Sequence, residues 1–279
     1  MEKIKYWLLT KSIGFYINLL RYWNPKKAAL LAYKLFSNPR IGKFSEETLP
    51  LVLQDALKET VHFNEHTFQT YTWSGNETVT LLVHGWESNA SRWEKLLPHL
   101  KQTGHTIVAL DAPAHGLSSG KEFNVPQYAA FIDLLTQRYQ PKHIIGHSIG
   151  GIASVYYQHH YPNQLKKMIL LGAPSDFTIL ISNYVKLLGL HSKIHQFLKD
   201  YTKEKFAIAI EDFSAEKFLR SSSLPGIVAH DHNDTVVAFS EGQKLASSWK
   251  NATFIQTQGL GHSLHDDALY QKIISFLMQ

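Results

Sequence analysis

From residue 61 onward, short apolar runs alternate with longer stretches of helical spacing. Val61–Trp73 alternates apolar and polar residues well enough for one or two antiparallel strands, closed by the turn Ser74-Gly75-Asn76. Four compact apolar runs follow at Val79–Val83, Thr106–Leu110, His143–Ile145 and Lys167–Leu171, each ending in small or Gly/Pro-rich residues. Gly226–Ala229 and Ala252–Gln256 are two later strand candidates. Runs that are apolar throughout predict strands buried on both faces, hence a mostly parallel sheet with helices between its strands. Three helix starts carry a capping side chain three residues before Glu or Gln: Ser91-Arg92-Trp93-Glu94, Asn124-Val125-Pro126-Gln127 and Ser240-Glu241-Gly242-Gln243.

Two segments break this rhythm. Asp176 to Leu224 lies between strand candidates and reads as helices, an insertion expected over one end of the sheet. Ahead of residue 61, Tyr6–Leu20 is apolar and aromatic but interrupted by Lys11, and Ala28–Phe36 reads as a short helix between Pro25 and Pro39. No small-residue cleavage site follows the first stretch, and its uncharged run Ser12–Leu20 is too short to span a bilayer.

Charge sharpens the contrast. Residues 1–43 hold nine Lys or Arg against Glu2 alone, whereas the remainder is net −3, for +5 overall. The basic character thus belongs to the N-terminal extension. An enzyme working on nucleic acid would carry it around the working cleft, so no nucleic-acid partner is expected. Aromatics at Tyr6, Trp7, Phe15, Tyr16, Tyr22 and Trp23 among these cations suit a helix lying on an anionic membrane surface, in weak peripheral association. They suit a helical arm packed on the rest of the protein as well. The chain is 279 residues long, 44% hydrophobic and 18% charged, which excludes a mainly disordered chain. With no cysteine, a disulfide scaffold, a zinc–thiolate site, an iron–sulfur cluster and a thiol nucleophile are excluded, and a reducing cytoplasm fits.

The strongest chemical signal is Gly146-His147-Ser148-Ile149-Gly150-Gly151, which follows the strand at His143–Ile145 and opens a helix running to about Tyr161. A strand–turn–helix context is what a nucleophile elbow needs. The turn is strained, so the residues two before and two after the serine must be small. The hydroxyl then projects above the sheet edge with the Ile149 N–H beside it.

Here the chain resembles the α/β-hydrolase family, over roughly residues 60–279. Further matches come in the family's order: His84-Gly85-Trp86 after the third strand, Asp111-Ala112-Pro113-Ala114-His115-Gly116-Leu117-Ser118 after the fourth, and Gly259-Leu260-Gly261-His262 near the end. The resemblance implies a mostly parallel, mainly eight-stranded α/β sheet with helices on both faces. Its divisions would be an N-terminal helical extension (1–58), a core (59–175 and 225–279) and a helical cap (176–224). It implies an oxyanion hole of the backbone N–H groups of Trp86 and Ile149, with His262 as base. The family pattern G-x-x-D-x-x-V puts the acid at Asp234, although His230 and Asp231 replace the usual small residue and spacer. Asp176, after Gly172-Ala173-Pro174, is the position other branches use, and Asp231 is a third choice.

Serine at 148 speaks against the dehalogenase and epoxide-hydrolase branches, and the lack of H-G-G-G around 84–87 against the lipases that carry it. What remains is a serine hydrolase for a carboxylic ester or thioester, with an apolar acyl group favoured by the helical insertion. Acyl transfer or cofactor-free perhydrolysis would use the same triad, and a non-catalytic binding module would keep only the fold. No cofactor is expected. His230-Asp231-His232-Asn233-Asp234 reads H-x-H-x-D, but a metallo-hydrolase signature continues with histidine where Thr235 stands, and His262/His265 lack the H-E-x-x-H spacing, so no metal is expected. His84, His115 and His147 read as structural residues, and the bland reading of Ser148 is a helix N-cap.

Overall fold

The computed structural model describes residues 2–279. The first elements are α1 (Glu2–Trp23), α2 (Pro25–Ser37), α3 (Leu51–Gln54), β1 (Leu57–Phe63), β2 (His66–Trp73) and β3 (Asn76–Val83). Next come α4 (Leu97–Lys101), β4 (His105–Leu110), α5 (Val125–Tyr139), β5 (His143–His147), α6 (Ile149–His160) and β6 (Lys167–Leu171). The chain finishes with α7 (Phe177–Leu188), α8 (Ser192–Phe206), α9 (Ala215–Leu219), β7 (Gly226–Asp231), α10 (Phe239–Ser248), β8 (Ala252–Thr257) and α11 (Asp267–Met278). Two compact units result: one runs to Asn38 and includes Asp176–Ser214, the other comprises Pro39–Ser175 and Ala215–Gln279.

The larger unit is built on one eight-stranded sheet in the order β1-β2-β4-β3-β5-β6-β7-β8. β1 and β2 are antiparallel, β2 runs antiparallel to β4, and every later pairing is parallel. The central runs of β3 to β7 are mainly apolar because both faces are covered there. Leu82, Ile107, Ile145, Ile169 and Ile227 pack with Trp93, Leu97, Leu269 and Ile273 in one core, while the alternate residues Leu81, Val108, Ile144, Leu170 and Val228 are buried too. β3 lies between β4 and β5, so the chain leaves it to opposite sides and opens a crevice at the carboxyl ends of β3 and β5, where such sheets bind ligands.

The smaller unit joins α1 and α2 to α7 and α8. Ile17, Ala28, Ala32, Leu188, Ile194 and Leu198 share one apolar cluster. Gly14 lets α1 cross the end of α7 closely, since a Cβ there would overlap the Leu188 carbonyl. Lys11 Nζ donates to the carbonyls of Lys186 (3.2 Å) and Leu187 (2.8 Å), satisfying the last turn of α7. Asn18 bridges the α7–α8 turn, donating to Gly189 O and accepting from His191 N, both at 2.8 Å.

Several boundaries differ from those expected. The N-terminal extension is not a separate 1–58 segment: residues to 38 share a core with the 176–214 helices. Leu49, Leu53 and Ala56 pack into the sheet's own core and β1 starts at Leu57. At the other end, α9 sits with the sheet unit, its Glu216 N–H donating to Ser175 O at 3.0 Å. Asn124 caps α5 as expected, accepting from Gln127 N at 2.8 Å. Ser91 does not cap: Asn89 Oδ1 does, accepting from both the backbone N (3.0 Å) and the hydroxyl (2.6 Å) of Ser91, and the element is a 3₁₀ helix. Ser240 lies inside α10, which begins at Phe239, a ring stacked on His232. There a tertiary contact overrides a local cap.

The sheet unit carries histidines buried neutral. Burial pushes His84 and His147 well below the ordinary range and lowers His115 and His143 to about 4. Unfolded, each would protonate near pH 6.5. Between pH 6.5 and 4 the unfolded chain therefore binds more protons, and stability present above that window is lost as the pH falls through it. Asp111, raised by burial to about 6, acts in the opposite sense over part of this range, but as one group against four. Urea unfolding at pH 8, 7, 6 and 5 should show unfolding free energy level at the alkaline end and falling below pH 6.5. The slope there should correspond to two or more protons, about 1.4 kcal/mol per pH unit for each. A flat profile would contradict the neutral assignment.

Candidate active site

Ser148 stands between β5 and α6 with φ 54° and ψ −127°, a left-handed backbone that costs a non-glycine residue on the order of 1–3 kcal/mol. Its neighbours explain how the turn is held. The Ser148 N–H donates to Leu171 O at 2.9 Å, tying the elbow to the end of β6. A Cβ on Gly150 would lie 2.3 Å from the carbonyl oxygens of Val83 and His84, so only glycine lets α6 approach the end of β3. Ser148 makes no side-chain cap bond to α6, which sets aside the reading of this residue as a mere N-cap.

The loop after β3 reaches the serine from the other side. A Cβ on Gly85 would stand 2.9 Å from Ser148 Cβ. His84 fixes this loop: its Nδ1–H donates to Gly85 O at 2.7 Å and its Nε2 accepts from Ala112 N at 2.9 Å. His115 does the same one turn on, accepting from Glu87 N (3.0 Å) and donating to Pro113 O (2.8 Å). Asp111 is consumed by Tyr71 Oη, Ala90 N and Leu117 N. The D-x-P-x-H-G-x-S segment is thus scaffolding for the crevice.

His262 and Asp234 meet from two different loops. The imidazole Nδ1 and Asp234 Oδ2 are 2.7 Å apart, and Asp234 Oδ1 accepts from Val236 N (2.8 Å) and Val237 N (2.9 Å). Burial alone would raise the Asp234 pKa, but bonds from His230, His262 and the Val237 N–H outweigh it and hold the carboxyl well below the usual carboxylate range. The His262 ring lies beside the elbow: it contacts the ring of His147 at 4.8 Å between centroids and rests on Gly172, the residue after Leu171. The alternative acids are occupied elsewhere. Asp176 caps α7, accepting from Ile179 N at 3.1 Å and from the Thr178 hydroxyl. Asp231 takes Thr257 Oγ1 (2.7 Å), Asn233 N (2.9 Å) and Leu260 N (3.0 Å).

Three positioning residues escape a reading by motif. His147 was expected only to pack. Its Nε2–H in fact donates to the His262 carbonyl at 2.9 Å, and its buried Nδ1 is left without a partner. Arg92 donates to the Ser263 carbonyl at 3.0 Å, so both ends of the histidine turn are held. His230 lies against the acid, 3.5 Å from Asp234 Oδ2, while its Nε2–H donates to Val237 O at 3.0 Å and closes the acid loop. A Cβ on Gly242 would overlap the His230 ring, so the glycine in α10 makes room for it. The only sequence signal for this pair was the departure at His230 from the family's small residue.

An eight-stranded, mostly parallel sheet with a strained serine elbow at its carboxyl edge defines an α/β hydrolase fold, and a profile of that fold matches residues 79–193. The chain has the α/β-hydrolase fold. Among its relatives, a "Probable serine hydrolase" of Drosophila melanogaster is 28% identical over 142 residues, 47% of this chain and 42% of the fly protein. A "2-hydroxy-6-oxononadienedioate/2-hydroxy-6-oxononatrienedioate hydrolase" of Paraburkholderia phymatum is 24% identical across an alignment covering 82% of this chain and 94% of the relative. The crystal structure of a putative lipase from Acinetobacter baumannii superposes with a TM-score of 0.65 at 16% identity, covering 84% of this chain and 96% of that one. This chain thus spans under half of the fly relative and nearly all of the bacterial one.

Proposed function

We propose that this protein is a serine hydrolase that cleaves a carboxylic ester or thioester through an acyl-enzyme on Ser148. The observation that carries the reading is the 2.7 Å bond between His262 and Asp234 beside a serine held at φ 54°. Serine is a weak nucleophile while its hydroxyl keeps its proton. In the proposed reaction His262 Nε2 takes that proton as Ser148 Oγ attacks the carbonyl carbon. Asp234 accepts from Nδ1–H, fixing the tautomer and stabilising the imidazolium. The N–H groups of Trp86 and Ile149 face the oxyanion, where loss of one donor typically costs about 3 kcal/mol. Collapse breaks the acyl C–O or C–S bond, and His262 returns the proton to the departing alcohol or thiol. Water then adds to the acyl carbon with His262 again as base, releasing the acid and restoring the serine hydroxyl. Acyl transfer or perhydrolysis differs only in the acceptor that replaces water.

Relatives named as hydrolases support this chemistry. A fluorophosphonate probe tests it: one equivalent should attach to Ser148, located by peptide mass, with parallel loss of p-nitrophenyl ester hydrolysis. A panel of such esters tests the apolar acyl preference, with short to medium chains expected to turn over fastest. Probe attachment elsewhere, or none, would overturn the nucleophile assignment.

A further inference from the structure

The smaller unit leaves one face of α1 uncovered. Thr10, Gly14 and Ile17 are buried toward its helical neighbours, whereas Ile4, Leu8, Phe15, Leu19, Tyr22 and Trp23 are exposed, Phe15 at 69% and Tyr22 and Trp23 at 74% each. Spacings of four, seven, four and three residues carry Ile4, Leu8, Phe15, Leu19 and Tyr22 along one stripe, about 27 Å long at 1.5 Å per residue, with Trp23 at its end. A continuous apolar band of this kind marks an interaction surface. The segment itself is basic: no Asp or Glu occurs between residues 3 and 45, and Lys5, Lys26 and Lys27 are exposed along and beyond the stripe. Where α1 turns into α2, a cleft of about 690 Å³ brings Arg21, Lys26 and Lys193 against apolar walls from Tyr22, Ala29 and Phe197.

We infer that α1 docks this protein on an anionic phospholipid surface, lying in the plane of the interface with its aromatic stripe at the level of the acyl boundary and its cations among the headgroups. Both an apolar band and a field of positive charge find complements there. A second copy of the same face offers only the first: pairing two copies would set Lys5, Lys26 and Lys27 near their own kind, with Glu2 the single acid on the segment against nine cations. The attachment is peripheral, because among the described residues no helix is long and apolar enough to cross a membrane. The two expectations for the extension, an arm and a membrane helix, concern opposite faces of one helix.

Truncating the segment would strip α7 and α8 of their partners, so substitutions on exposed side chains are the proper probe. Full-length protein is floated with vesicles of phosphatidylglycerol and phosphatidylcholine, and separately of phosphatidylcholine alone. Variants are Phe15→Glu/Trp23→Glu and Lys26→Glu/Lys27→Glu, each checked by circular dichroism. Recovery with anionic vesicles should exceed that with neutral ones by about tenfold or more, fade in high salt, and fall by a similar factor in either variant. The lipid comparison on the unaltered protein decides the matter even where a variant fails to fold. No flotation, or equal flotation with both lipids, would overturn the inference. So would a dimer that Phe15→Glu/Trp23→Glu dissociates while vesicles recover nothing, which would assign the stripe to self-association. Since no ester is cleaved in this assay, its result is independent of the catalytic reading.

Discussion

Replacing Ser148 with alanine should lower kcat on p-nitrophenyl butyrate by about 10³-fold or more while leaving the fold intact. The magnitude follows from the role proposed for the hydroxyl. Without it no acyl-enzyme forms, and what remains is the modest acceleration a triad-less site retains from its oxyanion donors and substrate binding. The stability side of the prediction is equally specific. The serine side chain makes no cap bond to α6, so removing Oγ should move the unfolding free energy by no more than about 0.5 kcal/mol. Ser148→Gly is the sharper control, because glycine adopts φ 54° without the Cβ strain that serine bears. That variant should be as inactive as alanine and no less stable than the parent. Such an outcome would fit the chemical role proposed for a serine kept in a conformation that glycine would relieve. Measured turnover and chemical denaturation of the two variants check both halves; more than a tenth of parental turnover in Ser148→Ala would refute the mechanism.

The sheet was legible because its signal is local and redundant. Each strand from β3 to β7 holds an apolar run too short for a helix, because burial on both faces selects apolar residues at consecutive positions. The elbow was legible for a steric reason: Gly146, Ser148 and Gly150 are spaced as a strained turn against β3 requires. Helix starts were legible only where the cap is purely local. Asn124 bonds its own first turn, whereas Ser240 is overruled by Phe239 stacking on a histidine seven residues back, in the turn after β7. Least legible were contacts between distant segments. Nothing near residue 14 announces the carbonyl of Leu188, and nothing near residue 92 announces that of Ser263. The extension and the insertion therefore read as two independent segments, although they share one core.

Asp234→Asn should lower kcat/KM by about 10³–10⁴-fold, while Asp176→Asn should leave it within about twofold. The asymmetry comes from what each carboxylate already accepts. Asp234 Oδ1 receives the N–H groups of Val236 and Val237, so an asparagine there must turn its carbonyl oxygen toward them to avoid setting its NH₂ against two donors. That choice points the amide nitrogen at His262 Nδ1, 2.7 Å from the oxygen it replaces. An amide nitrogen can only donate, so Nδ1 must become the acceptor and the ring proton must move to Nε2. An imidazole protonated at Nε2 cannot take the serine proton. The variant is thus expected to retain its fold and its ability to bind substrate while holding the base in the wrong tautomer. Asp176 faces no such constraint, because its carboxylate serves the first turn of α7 and asparagine caps a helix about as well as aspartate. Steady-state kinetics on one soluble ester decide between them. A large loss in Asp176→Asn with Asp234→Asn near parental would move the acid to the other branch position and leave the His262–Asp234 bond as structure alone.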